Sequence, residues 1–313
     1  MPEPWLYLKS IVASAIGSAL FVLALGGLRW SSTETRLKIA CVLGIGFGLV
    51  VGYYVLGLQF AWPPFNGLDR FLTIILPAVL MIELIAAFEP VPSWGAWLLR
   101  LSFAASIPRI LLHGSVYLPS HGTELPVWQA GVTLLVCSGL LASLWWLLLC
   151  LSQRSPGVSI CLSLCLAIQC TGLTVMLAGY IKGGAAALPV VATILSATIV
   201  VGLVSKRFGA VANFGIASII GIGVVSLYGL LFIGYFFGRL SAGSTMAMLF
   251  SPLLCWVSEI AVMRNRAIWL VGSLQLTLVA IPLSVVLSSA KRDFDRDMAP
   301  LLYSDHRADG LDL

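Results

Sequence analysis

Apolar residues in this chain come in long runs, broken by short polar punctuation, with no strict apolar–polar alternation that would mark a half-buried strand. Ten runs approach the roughly 20 residues that a helix needs to cross a bilayer. They lie at about 7–28, 37–59, 71–88, 94–113, 128–151, 157–181, 185–204, 210–237, 243–263 and 267–290. Turn-forming stretches separate them, among them AWPPFNGLDR at 61–70, EPVPS at 89–93, SQRSP at 152–156 and SKR at 205–207. Trp5, Trp30, Trp62, Trp94 and Trp128 stand at the edges of runs, as an interfacial aromatic belt does. This pattern predicts an all-α polytopic transmembrane helical bundle of about ten helices. Residues 1–290 form one integral membrane domain, and the polar stretch 291–313 is expected to be a disordered tail.

Composition sharpens the class. Hydrophobic residues make up 59% of the 313 residues and charged residues 10%, and the mean hydropathy is +1.02. Soluble domains carry about 25% charged residues, which excludes an aqueous fold. The basic excess, 18 Lys and Arg against 13 Asp and Glu, is spread between runs. It lacks the clustering that nucleic-acid binding requires, so the expected partner is the lipid bilayer, with homo- or hetero-oligomers open. The apolar run from Ile11 to Leu28 exceeds the roughly 7–15 residues of a signal-peptide core and reads as a retained first helix. The seven cysteines, at 41, 137, 150, 161, 165, 170 and 255, all fall inside apolar runs and read as packing residues.

Loop charge bears on orientation. With the N-terminus outside, inner loops hold Arg29, Arg36, Lys38, Arg154, Lys206, Arg207, Arg264 and Arg266, while outer segments hold Lys9, Arg70, Lys182 and Arg239. The positive-inside rule favours this arrangement in a cell or inner membrane. Ten spans also place Lys291, Arg292, Arg296 and Arg307 outside, which evens the count.

The order of features suggests a duplicated four-helix unit, helices 1–4 recurring as 7–10. ILPAVLMIELIAAF aligns with FSPLLCWVSEIAVM, each with an early proline and a late glutamate, Pro77 to Glu83 and Pro252 to Glu259. GIGFGLVVGYY at 44–54 is echoed by GIGVVSLYG at 221–229.

Ionisable residues inside spans are costly and mark candidate sites. Here they are Glu83, Arg100, Arg109 and Glu259. The short EPVPS link makes the third and fourth helices antiparallel neighbours, so Glu83 and Arg100 are placed to pair. Glu259 has no such partner, because Gly272 falls where the corresponding arginine would be. Nine positions separate Arg109 from Arg100, half a turn out of phase, so a straight helix cannot aim both into one cavity. Arg109 and His113, four apart, share a face near the far interface. Gly44, Gly48 and Gly52 form a small-xxx-small stripe for close helix packing, and Gln169 and Gln275 are candidate interhelical hydrogen-bond donors.

No phosphate-binding loop or zinc spacing occurs among the motifs, and no cofactor or metal is expected. The function expected is a secondary transporter or permease for a small-molecule solute, with the embedded carboxylates handling a proton or ion. The alternatives are a structural or assembly subunit whose embedded charges are interhelical pairs, and an integral membrane enzyme acting on lipid.

Overall fold

The computed structural model describes residues 4–27, 32–58, 62–88, 91–115, 127–154, 157–208, 215–259 and 268–308. Among them there is no strand, and nine helices are long and apolar enough to cross a membrane. The chain is a multi-pass, all-α integral membrane protein. Its helices are α1 (Pro4–Gly27), α2 (Thr33–Val55), α3 (Gly67–Ala87), α4 (Ser93–Leu112), α5 (Val127–Arg154) and α6 (Val158–Leu177). A single turn at Ile181–Ala185 leads into α7 (Ala187–Phe208), followed by α8 (Ile216–Phe236), α9 (Ala242–Phe250) and α10 (Ile268–Ala308).

The ninth expected span, 243–263, departs from a regular α-helix over its described residues. α9 ends at Phe250, and the chain continues as a tighter 3₁₀ segment over Ser251–Glu259. Pro252 sits where the winding changes and offers no N–H to the preceding turn, and the Ser251 hydroxyl donates to the Met248 carbonyl there at 2.9 Å. The tighter winding rises about 2.0 Å per residue against about 1.5 Å in an α-helix, so the two nine-residue pieces together reach roughly 30 Å, a membrane's apolar thickness. Gln275 of α10 donates to the Cys255 carbonyl of this segment at 2.8 Å, satisfying a buried acceptor.

Three of the other differences from the expected boundaries have a local cause. α2 begins at Thr33 rather than 37, because the Ser32 hydroxyl accepts from the Thr35 N–H and Glu34 occupies the first turn. α3 starts four residues early, capped by the Asn66 side chain accepting from the Asp69 N–H at 2.8 Å. Its turns at Phe71–Ile75 are wound wide, with the Leu76 N–H reaching the Phe71 carbonyl, just ahead of Pro77. The polar stretch expected to be a disordered tail instead prolongs α10 to Ala308. No glycine interrupts residues 291–308, and basic and acidic residues are mixed over 291–297, so nothing breaks the helix where the apolar run stops; Pro300 falls about three turns further on.

The centre of the bundle is α8. It is apolar all round, and such a helix has to be buried on every side. Its residues from Ile216 to Gly234 are buried almost without exception, and α2, α3, α5, α6, α7 and α9 pack around it. Glycines admit the neighbours: a Cβ at Gly229 would collide with Phe71 of α3, one at Gly223 would press on Leu164 of α6 at 3.2 Å, and one at Gly234 would meet Val175 of α6 at 2.8 Å. This central place distinguishes α8 from α2, the helix with which it was aligned as a repeat. α2 leaves Phe47, Val50 and Tyr54 exposed.

At the edge of the bundle, α1 lies along α2 by matching small residues. Ser10, Ser14 and Ser18 of α1 are fully buried against the stripe of Gly44, Gly48 and Gly52. A Cβ at Gly48 would lie 2.7 Å from the Ser14 carbonyl oxygen and 2.6 Å from Thr193 Cγ2. The Ser10 hydroxyl donates to the Gly52 carbonyl at 2.8 Å, and Ser196 of α7 donates to the Ala15 carbonyl at 2.7 Å. Without a hydrophobic driving force between helices, close backbone approach and such hydrogen bonds supply the association.

Several contacts mark one face of the bundle. Ser10 meets the end of α2, Tyr53 donates to the Ala186 carbonyl at 3.0 Å, and Arg239 pairs with Asp297 at 3.8 Å, all on one face, here the N-terminal face. The loop arginines Arg29, Arg264 and Arg266 lie outside the described residues.

Replacing Gly48 by leucine forces α1 off α2 and α7. The expected loss is about 1–3 kcal/mol of stability, the usual cost of overpacking. Gly27, which has nothing within 4 Å, accepts alanine without loss. Thermal melts of both variants in one detergent check the contrast.

Candidate functional site

Glu83 lies four residues before the end of α3, and Arg100 seven residues into α4. Both sit within two turns of the face opposite the N-terminal one. The helices run antiparallel across a short link, and the two side chains meet as a two-pronged pair. Arg100 Nε donates to Glu83 Oε1 at 2.8 Å, and Nη2 donates to Oε2 at 2.8 Å. This fork-to-fork geometry is the strong form of the contact, because both oxygens are used and the guanidinium plane is fixed.

The pair is seated on the central helix. Glu83 has no exposed surface at all, and the Arg100 side chain is 12% exposed. The carboxylate lies against α8, where a Cβ at Gly221 would collide with it, and the Ser218 hydroxyl one turn earlier is within hydrogen-bonding reach. A glycine is therefore required at 221 for the carboxylate to occupy its place. Around the guanidinium, the Trp97 ring centroid lies 5.7 Å away and the Trp145 centroid 5.9 Å away. A cation over an aromatic face gains attraction that grows as water is excluded. Trp145 of α5 is buried, and its indole N–H has no hydrogen-bond partner among the described residues. Four helices thus contribute to one small charged cluster: α3, α4, α5 and α8.

The remaining candidates lie apart from this cluster. Glu259 closes the 3₁₀ segment, is partly exposed, and makes no ion pair among the described residues. Near it, Arg154 lies over the Trp256 ring at 5.9 Å. Arg109 is exposed near the far end of α4 and faces an open groove with His113 and Arg70. The half-turn phase difference on α4 is what separates Arg109 from Arg100. Gln169 lines an open lateral groove with Val191 and Leu276. Gly44, Gly48 and Gly52 serve the contact with α1, remote from the charges. No group of His, Cys, Asp or Glu among the described residues forms a metal-binding set, and the cysteines are free. His121 lies outside the described residues.

Two residues that matter here escaped the sequence reading. Arg70 caps the end of α4, donating to the Leu111 carbonyl at 3.3 Å and to the His113 carbonyl. A cation there meets both unsatisfied carbonyls and the negative end of the helix dipole. Gly221 belongs to GIGVVSLYG, a motif visible in the sequence, but only the fold shows that a carboxylate fills the space above it.

A buried pair resists losing one partner far more than losing both. Arg100→Leu alone leaves an uncompensated carboxylate, for which about 3–5 kcal/mol of destabilisation is expected, whereas Glu83→Leu with Arg100→Met is close to neutral. Gly221→Ala is destabilising only while Glu83 is present. Denaturation of the single and double variants in detergent, analysed as a double-mutant cycle, measures this coupling.

No family model matches the chain, and neither a curated protein nor a solved structure matches it.

Proposed function

We propose that the chain is a secondary transporter or permease for a small solute, and that the arrangement described above is its closed form. The observation that carries this reading is the Glu83–Arg100 pair lodged on Gly221 of the innermost helix. Apolar side chains of similar volume fasten two helices at least as stably as a buried ion pair. A charged pair kept inside a membrane bundle therefore calls for a purpose beyond fastening. Movement of α3 away from α8 uncovers the carboxylate to a proton, an ion or a solute group. Its return to Gly221 closes the route.

A polar basin supports the same reading from the N-terminal face. It measures about 760 Å³ and is bordered by Thr174, Tyr180, Arg239, Ser241, Asp293 and Asp297. Both signs of charge line it, which suits first contact with a small polar or zwitterionic molecule.

One observation favours the second reading, an assembly subunit. Glu83 has no exposed surface, so in this form it lines no path. Flux in proteoliposomes separates the two. The permease reading expects wild-type uptake of at least one small solute, with Glu83→Gln lowering it at least about tenfold, equivalent to about 1.4 kcal/mol. Glu259→Gln is expected to stay near wild type, because Glu259 stands outside the cluster. A folded wild-type protein that moves none of a broad solute panel supports the subunit reading instead.

A further inference from the structure

The open groove at the N-terminal face between the start of α3 and the end of α4 has the chemistry of a lipid site. Its volume is about 490 Å³. Arg70 lies one turn inside the start of α3, and Arg109 one turn inside the end of α4, so both stand at the depth of lipid headgroups. His113 follows directly after α4 on the same groove. No carboxylate lies within ion-pairing distance of either arginine among the described residues. Two guanidinium groups that border one groove at an interface, neither in an ion pair among the described residues, select an anion.

The other wall is apolar. Ile74 and Ile110 border the groove within the helical spans, and Pro64 closes its rim. Trp62 and Phe65, 79% and 78% exposed, stand in the link just before α3 as interfacial aromatics. A free inorganic anion uses the cations and ignores the isoleucines. A lipid uses both, with phosphate on the arginines and the start of an acyl chain along the isoleucines. Arg70 is also held in place by its bonds to the Leu111 and His113 carbonyls, which go through Nη1 and leave Nη2 to a ligand. Preset donors of this kind bind phosphate with less ordering cost, and arginine forks match phosphate oxygens.

We infer that this groove binds an anionic phospholipid, the headgroup phosphate held between Arg109 and Arg70 and the acyl region lying on Ile74 and Ile110. Basic pockets between membrane helices recognise lipid headgroups by this combination of charge and apolar wall.

The test uses the full-length protein in nanodiscs of equimolar phosphatidylglycerol and phosphatidylcholine. After extraction into mild detergent, native mass spectrometry counts the lipids retained. Wild type is expected to retain phosphatidylglycerol in preference. Arg109→Ala is expected to lower its retention about fivefold, the factor one arginine contributes beside an anionic lipid. Arg109→Lys keeps most of it, and Arg154→Ala, at the opposite face, changes nothing. Arg109 is exposed, so the variants are expected to melt with wild type. Equal retention of the two lipids by wild type overturns the inference. So does unchanged phosphatidylglycerol retention in Arg109→Ala, or displacement of the lipid by inorganic phosphate in the wash.

Discussion

A carboxylate and a guanidinium that have both left water are tolerable only while each stays against the other, and this constraint organises the middle of the bundle. Glu83 and Arg100 meet through two 2.8 Å hydrogen bonds, which uses both carboxylate oxygens at once. The α3–α4 hairpin has to be tight for that geometry. The pair then needs a flat place to rest, and Gly221 of α8 provides one. Trp97 and Trp145 complete the enclosure from α4 and α5. A single buried charge pair therefore fixes the relative placement of four helices.

Elsewhere the bundle holds together by different means. α1 meets α2 through serines on glycines, and the contact carries hydrogen bonds but no charge. α8 is surrounded on nearly every side by apolar neighbours, with glycines at the points of closest approach. The 3₁₀ segment after α9 gains length by winding tightly, and Gln275 satisfies a carbonyl within it. These contacts are short-ranged and uncharged, whereas the Glu83–Arg100 pair is a buried charged element that a proton or a polar solute can compete for. That difference in chemistry is why the proposed closure is assigned to the pair and not to the glycine stripe.

Much of this was legible in the residues. Run length and hydropathy are set by bilayer thickness, so class and approximate spans follow directly from them. The Glu83–Arg100 pairing was legible too, because a short link and helical rise leave little freedom in a hairpin. The seat on Gly221 was not, since it depends on which helix lies against α3, and α8 is more than 120 residues further along the chain. The winding change at Ser251 was hidden for a related reason: hydropathy does not distinguish a 3₁₀ segment from an α-helix. The alignment of Glu83 with Glu259 paired residues whose surroundings differ, one sealed against the central helix and the other at a segment end. Capping errors at Ser32 and Asn66 arose because polar first turns look like loop when only apolar runs are followed.

The central claim is that α3 must leave α8 for the chain to work. The contact between Phe71 and Gly229 tests it most directly, because it joins these helices without touching the charged pair. With cysteine at both positions, the smaller side chain at 71 leaves room for the one at 229, and oxidation links α3 to α8. Solute flux across proteoliposomes, measured before oxidation, after it and after reduction, gives the answer. The account predicts efficient cross-linking, arrest of flux in the linked form and recovery on reduction. Full flux through the cross-linked protein would contradict it.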